Sequence, residues 1–120
     1  MRLTDELPER TKRYAGSTIH LYVKVPLSRK EVAIIGQQLL RSGTSVSAHA
    51  RGPSRGRSDA EFSKLEGALQ EADESELWLE LLRDDCPITT PQVSNLLTET
   101  DELIAIFTTI VERTKRRRDK

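Results

Sequence analysis

Four apolar stretches with helical spacing, separated by short segments that contain proline, constrain this chain more than any other feature. Within each stretch, apolar residues recur at intervals of three and four, which places them on one face of a helix. The connections are only about four to six residues long, and connections this short join antiparallel neighbours. The sequence therefore predicts an all-α, antiparallel up-down-up-down four-helix bundle, forming a single domain over residues 1–120. The predicted helices span residues 8–24, 29–51, 59–83 and 91–116.

Helix-capping residues support these boundaries. A serine or threonine just before a helix accepts a hydrogen bond from a backbone N–H of the first turn. Glu31 and Glu61 each follow a serine at the spacing of a capping box. Pro8 is expected at the first position of the first helix, where its missing N–H would be unpaired in any case. The predicted N-caps of the other three helices are Ser28, Ser58 and Thr90.

Two glycines, Gly36 and Gly43, fall on the apolar stripe of the second predicted helix. Glycine inside a helix is less favourable than alanine by about 1 kcal/mol. Both positions therefore predict that a neighbouring helix approaches closely.

Charge is unevenly distributed although the net charge is zero. In an up-down-up-down bundle, the N-terminus, the second connection and the C-terminus share one end. Residues 1–13, 51–61 and 112–120 hold 13 basic and 7 acidic side chains, whereas the whole chain has 19 of each. The sequence therefore predicts a positive end and a negative remainder. Its dense clusters are Arg10, Lys12 and Arg13; Arg51, Arg55 and Arg57; and Lys115, Arg116, Arg117 and Arg118.

The third predicted helix has more apolar surface than one buried face requires. Leu77, Trp78 and Leu81 lie mostly to one side of its main stripe. A helix with one buried face needs an apolar stripe only somewhat over 100° wide. The second patch favours contact with another subunit, although it also fits the edge of a wide core. Three charged side chains point away from the apolar stripes of their helices: Arg41 on the second helix, and Glu71 and Glu74 on the third. They could form an ion pair between subunits or between helices, or they could be solvated.

No arrangement of side chains predicts catalysis. Neither His20 nor His49 completes the Glu-x-x-His pair of a di-iron bundle. Cys86 follows two acidic residues and precedes proline, and that environment raises a thiol pKa. Motifs for phosphate or dinucleotide binding are missing from the sequence. We therefore expect no enzymatic activity, no metal and no cofactor.

The lone cysteine also bears on location, because it excludes an internal disulfide and fits a reducing cytoplasm. The charged N-terminal residues predict no signal peptide. No apolar stretch approaches the ~20 residues of a membrane span. We expect a cytoplasmic protein without a membrane partner.

Two blocks of sequence resemble a known family. The first is Gln38-Leu39-Leu40-Arg41-Ser42-Gly43-Thr44-Ser45-Val46, and the second includes Ser58, Phe62, Lys64, Leu65, Ala68, Glu71, Ala72, Glu74 and Trp78-Leu79-Glu80-Leu81-Leu82. These residues resemble the bacterial four-helix bundle family that includes proteins encoded in intervening sequences of 23S rRNA genes. The accessory proteins of diversity-generating retroelements are similar to it.

The resemblance implies a ring-like homopentamer with no enzymatic activity. It also implies partners, because the retroelement relatives bind nucleic acid and a reverse transcriptase through a basic surface. By motif, Arg41, Glu71 and Glu74 match recurring charged positions of the family and Trp78 matches its aromatic one, which assigns them to packing and assembly. The chain departs from the family pattern at residues 48–53, where Gly52-Pro53 predicts an earlier end to the second helix.

Two functions remain open from the sequence. In the first, the protein is an oligomeric bundle that binds RNA or DNA phosphates as an accessory to an RNA or retroelement process. The expected contacts are Arg51, Arg55, Arg57, Lys115, Arg116, Arg117 and Arg118. Tyr14 is the only aromatic residue expected near the basic clusters, so the sequence does not predict base stacking. In the second, the same end docks an acidic protein partner and the protein is an interaction scaffold.

Overall fold

A computed structural model of the chain describes residues 3–51 and 58–119. These residues form four helices in chain order, which confirms the all-α fold. Short non-helical segments join α1 to α2 and α3 to α4. The helices are α1 (Leu3–Tyr22), α2 (Lys30–Ala50), α3 (Asp59–Asp84) and α4 (Pro91–Arg118).

The helices alternate in direction and form a rod with extents of 52 × 23 × 21 Å. Each helix packs on its neighbours in sequence, and α1 closes the bundle against α4 over a smaller area. At one end, Arg29 before α2 donates a hydrogen bond to the Cys86 carbonyl after α3. At the other end, the last residue of α4, Arg118, contacts the first residue of α3, Asp59. These contacts establish the predicted up-down-up-down order.

The core consists mainly of aliphatic side chains, together with the aromatic rings of Tyr14 and Phe107. Leu39, Leu65, Leu79 and Leu103 are 2% exposed or less, and Phe107 is fully buried. Burial of one such side chain contributes about 1.5–3 kcal/mol. The core therefore positions the surface residues of all four helices on one rigid frame.

Two buried hydroxyl pairs connect the helices within this core. Ser42 of α2 hydrogen-bonds Ser75 of α3 with an Oγ–Oγ distance of 2.7 Å. The Tyr14 hydroxyl of α1 hydrogen-bonds Thr100 of α4 with an O–O distance of 2.6 Å. Because buried polar groups are costly without partners, these pairs set how each helix is aligned along its neighbour.

The prediction of close approach at Gly36 and Gly43 is confirmed, and the neighbour is α1. A Cβ at Gly36 would lie 3.1 Å from the Tyr22 ring, and one at Gly43 would lie 2.6 Å from Thr18 Cγ2. The absence of a side chain at these two positions lets α1 and α2 pack with their backbones close together.

The capping predictions have mixed outcomes. Ser58 is confirmed, because its Oγ accepts a hydrogen bond from the Glu61 backbone N–H at 3.1 Å. Ser28 is wrong as a cap: Arg29 occupies the N-cap position of α2. Thr90 is the N-cap of α4 by position, but its side chain makes no capping hydrogen bond within the described residues. Of the three predicted serine and threonine caps, Ser58 is therefore the one whose side chain caps its helix.

The first helix begins earlier than predicted, at Leu3 instead of Pro8, so the proline lies inside α1. Leu7, immediately before the proline, is 1% exposed. Its burial against the core stabilises the additional turn and offsets the backbone hydrogen bond that Pro8 cannot make.

Candidate nucleic-acid interface

The last turn of α4 carries a dense run of exposed cations. A helix C-terminus favours positive side chains because the helix dipole is negative there. The run begins after Thr114, which is buried and faces the core, so the basic residues project around the exposed sides of the helix. The run comprises Lys115, Arg116, Arg117 and Arg118.

Arg113 belongs with two members of this run. Residues three and four apart share one face of a helix, and Arg113, Arg116 and Arg117 have that spacing and are exposed. Arg117 also donates a hydrogen bond to Thr114 Oγ1 at 3.3 Å. We call Arg113, Arg116 and Arg117 the basic strip. Sequence reasoning left out Arg113, although its spacing to Arg116 and Arg117 could have identified it.

Arg118 is held against the start of α3. Its guanidinium pairs with the Asp59 carboxylate. The same guanidinium lies over the Phe62 ring, with Cζ 5.0 Å from the ring centroid. Arg118 is therefore partly neutralised by its own chain.

Arg51, the first residue of the second predicted cluster, lies at the same end. Arg51 is exposed and caps the C-terminus of α2. Because α2 and α4 run in the same direction, their C-termini share one end of the bundle. The other two predicted contacts, Arg55 and Arg57, lie outside the described residues, in the segment between Arg51 and Ser58.

The prediction that the N-terminal cluster joins this end is wrong. Arg10 forms ion pairs with α4, to Glu99 at 2.7 Å and to Glu102 at 3.1 Å between nitrogen and carboxylate oxygen. A rise of 1.5 Å per residue puts Lys115 about 20 Å further along α4 than Glu102. The longer α4 thus extends beyond α1, and the carboxylates raise the pKa of Arg10 and neutralise it locally.

Arg41 forms an ion pair within the chain, between α2 and α3. Its Nη1 lies 3.3 Å from Glu71 Oε2, and its Nη2 lies 2.5 Å from Glu74 Oε2. The hydrogen bond from Arg41 lowers the pKa of Glu74. Of the two ion-pair arrangements left open by the sequence, the structure therefore shows the interhelix one.

The aromatic patch on α3 is divided between core and surface. Trp78 is half-buried against the core, while Leu77 is 47% exposed. The indole Nε1 of Trp78 is buried without a hydrogen-bond partner in the described structure. Leu81 is half-buried. Contact of this patch with another subunit stays a prediction, and Leu77 is its most exposed member.

An acidic seam runs between α3 and α4, away from the basic end. The carboxyl group of Glu76 hydrogen-bonds to that of Asp101, and this contact, together with desolvation, raises the pKa of Glu76 to about 7. Asp73 and Glu80 on α3 act in the same direction. The raised pKa favours the protonated form of Glu76 below about pH 7. The other carboxylates of the seam give the side of the bundle a charge opposite to that of the end.

The remaining reactive side chains are packed or solvated. Cys86 is 1% exposed, and burial, more than the acidic neighbours, raises the pKa of its thiol. His20 is exposed, and His49 of α2 packs where Gly67 of α3 leaves space for its ring. Among residues 3–51 and 58–119, no three His, Cys, Asp or Glu side chains are grouped to hold a metal ion.

None of the four described helices combines the length and apolar character needed to cross a bilayer. The fold and the charges define the class of protein: an all-α bundle with cations concentrated at one end and carboxylates along its side.

Comparison with known proteins places this bundle in a family. Residues 6–109 match the family model of the 23S rRNA-intervening sequence protein, and the chain belongs to that family. The matched range ends before the basic strip begins. No protein of curated function matches the chain.

A solved structure is similar over nearly the whole bundle. It is a protein of unknown function from the S23 ribosomal protein family of Bacteroides thetaiotaomicron VPI-5482. The two share 30% sequence identity with a TM-score of 0.75, over 88% of this chain and 97% of the other.

Proposed function

We propose that this protein is a non-enzymatic binding protein that contacts RNA or DNA phosphates through the basic end of its bundle. The observation that carries the proposal is the basic strip, whose three arginines are exposed in the last turns of α4. Arg51 extends the positive surface on the same end. Arginine suits this role because its planar donors match phosphate oxygens.

The proposal predicts a defined dependence on salt. Each phosphate contact releases a condensed cation, so the logarithm of affinity falls by about 0.7 per contact for a single strand as the logarithm of salt rises. Three contacts would reduce the affinity about 20-fold between 50 and 200 mM salt. Binding of this type has dissociation constants of roughly 10⁻⁴–10⁻⁶ M.

Fluorescence anisotropy with labelled RNA and DNA oligonucleotides at the two salt concentrations tests this directly. Replacing Arg113, Arg116 and Arg117 together by serine should abolish most of the binding and flatten the salt dependence. A matched control removes three exposed cations from the opposite end, with serine at Lys24, Lys30 and Arg83. The control should bind as the wild type does.

Two outcomes would contradict the proposal. One is a wild-type protein that binds no oligonucleotide at 50 mM salt. The other is an equal loss in the control variant, which would show that only overall charge matters. Binding of an acidic polypeptide such as polyglutamate, without nucleic-acid binding, would instead favour the scaffold function.

The resemblance to a pentameric family supports a further part of the proposal, that copies of the chain assemble into a ring-like homopentamer. Leu77 supplies an exposed apolar side chain for the contact, and several basic ends on one particle would strengthen binding through multivalency. Light scattering should give about five times the chain mass of 13.6 kDa. Leu77→Glu should reduce the particle mass, whereas a wild-type monomer would refute the assembly.

A further inference from the structure

The basic end has an aromatic platform that the sequence did not predict. Arg118 lies over Phe62 and is tied to Asp59, so its guanidinium plane is held on one side by a ring and at one edge by a carboxylate. The Arg118 side chain nevertheless stays 43% exposed. A planar group held in this way is prepared to stack with a second planar group.

An open recess of about 390 Å³ lies at this platform, within the size range of small-ligand sites. It combines a planar stacking surface, a hydroxyl group, an ammonium group and two carboxylates. Its lining consists of Asp59, Phe62, Ser63, Lys115, Arg118 and Asp119.

We propose that this recess binds one unpaired base of a nucleic-acid strand, preferentially guanine. The base would stack on the Arg118–Phe62 platform, as unstacked bases do on aromatic rings and guanidinium planes. The exposed Asp119 carboxylate would accept hydrogen bonds from the N1–H and the N2 amino group of guanine. Lys115 would contact the adjacent phosphate.

Each feature of the recess favours guanine in a single strand. Stacking requires a base that is free of its neighbours, which a duplex does not provide. Guanine presents two adjacent donors on its pairing edge, and a carboxylate has two acceptor oxygens. Because Asp59 already offsets the charge of Arg118, this arginine serves stacking better than phosphate binding.

This inference rests on the proposed nucleic-acid function, and its test separates the two. The probes are a uridine octamer with one central guanosine, the same octamer with inosine, which lacks the N2 amino group, and a blunt RNA duplex. The variants are Phe62→Leu, which keeps most of the apolar volume, and Asp119→Asn, which changes only an exposed side chain. Circular dichroism confirms that each variant is folded.

Phe62→Leu should weaken binding of the guanosine octamer about tenfold, because Arg118 loses the ring that holds its guanidinium plane in place to stack on the base. Duplex binding and its salt dependence should not change, since the basic strip makes those contacts. Wild type should prefer guanosine to inosine by several fold, and Asp119→Asn should remove that preference. Phe62→Tyr should retain the wild-type affinity, because tyrosine keeps the aromatic face.

The inference is overturned if Phe62→Leu weakens octamer and duplex equally, or if it weakens neither. It is also overturned if wild type binds guanosine and inosine octamers alike. In all three cases, persistent salt-dependent binding by wild type would leave the proposed function intact. Absence of wild-type binding to every probe would refute both.

Discussion

Glu76→Gln should stabilise the bundle at alkaline pH and have little effect at acidic pH. Glu76 faces Asp101 across the α3–α4 seam, with Asp73 and Glu80 beside it on its own helix and the Tyr14 hydroxyl group nearby from α1. Its pKa rises from 4.5 to about 7. The folded state therefore holds a proton that the unfolded chain releases above about pH 4.5.

The sign follows from proton linkage. Stability falls with rising pH wherever the folded state binds more protons than the unfolded state. The stabilising contribution of the protonated Glu76 is present below pH 4.5, declines above it and is lost once the pH exceeds about 7. The difference between the folded and unfolded pKa values of Glu76 corresponds to about 3 kcal/mol of unfolding free energy without screening. Since Asp101 is exposed and Glu76 is only partly buried, solvent screening reduces the expected effect to about 1 kcal/mol.

Urea unfolding monitored through the single tryptophan, Trp78, measures this effect. Glutamine keeps a donor for Asp101 without the charge, so the variant should match wild type at pH 4.5. At pH 8.5 it should be more stable by about 1 kcal/mol, which shifts the midpoint by roughly 0.5–1 M urea. Glu66→Gln, which changes an exposed α3 carboxylate about two to four turns from the seam, serves as the control. Parallel pH profiles for wild type and Glu76→Gln would refute the reasoning.

Three further predictions concern packing. Gly43→Ala should lower stability by about 1–3 kcal/mol, because its Cβ would meet buried Thr18 Cγ2 at 2.6 Å. Gly16→Ala should raise stability by about 0.5–1 kcal/mol, since a Cβ there has no neighbour within 4 Å; thermal melts showing the same sign for both would contradict this account. The Cys86 thiol, 1% exposed, should react with a thiol reagent only as fast as the protein unfolds, and rapid labelling of folded protein would be inconsistent with its burial.

The spacing of apolar residues and the positions of the glycines predicted most of the fold, because both can be recognised within the sequence of a single helix. Gly36 and Gly43 interrupt the apolar stripe of α2 and lower its helix propensity. The close packing of α1 against both glycines explains why they are present. Ser58 caps α3 because its side-chain oxygen and the donor, the Glu61 backbone N–H, are close in sequence. Such features depend on few residues and can be read without coordinates.

Alignment along the bundle axis could not be predicted in the same way. Chain direction fixes which ends meet, but the offset between α1 and α4 depends on contacts such as Tyr14 with Thr100. That offset places Arg10 beside the first half of α4, where Glu99 neutralises it. Counting charges by their position in the chain therefore overstated the positive end.

The candidate base platform was missed for a related reason. Phe62 has the spacing of a core residue on α3, and the sequence alone assigns it to the apolar stripe. It lies in the first turn of α3, at the end of the bundle, and is only half-buried there. Arg118 reaches it from α4, a contact between residues far apart in the chain.

Mapping the bound oligonucleotide on the protein by backbone amide chemical shifts tests the central claim most directly. The account predicts that a guanosine-containing single strand perturbs amides at residues 58–63 and 113–119, with little change at residues 24–30 and 83–90 at the opposite end. Perturbations concentrated around the acidic seam at Glu76, or at that opposite end, would contradict it.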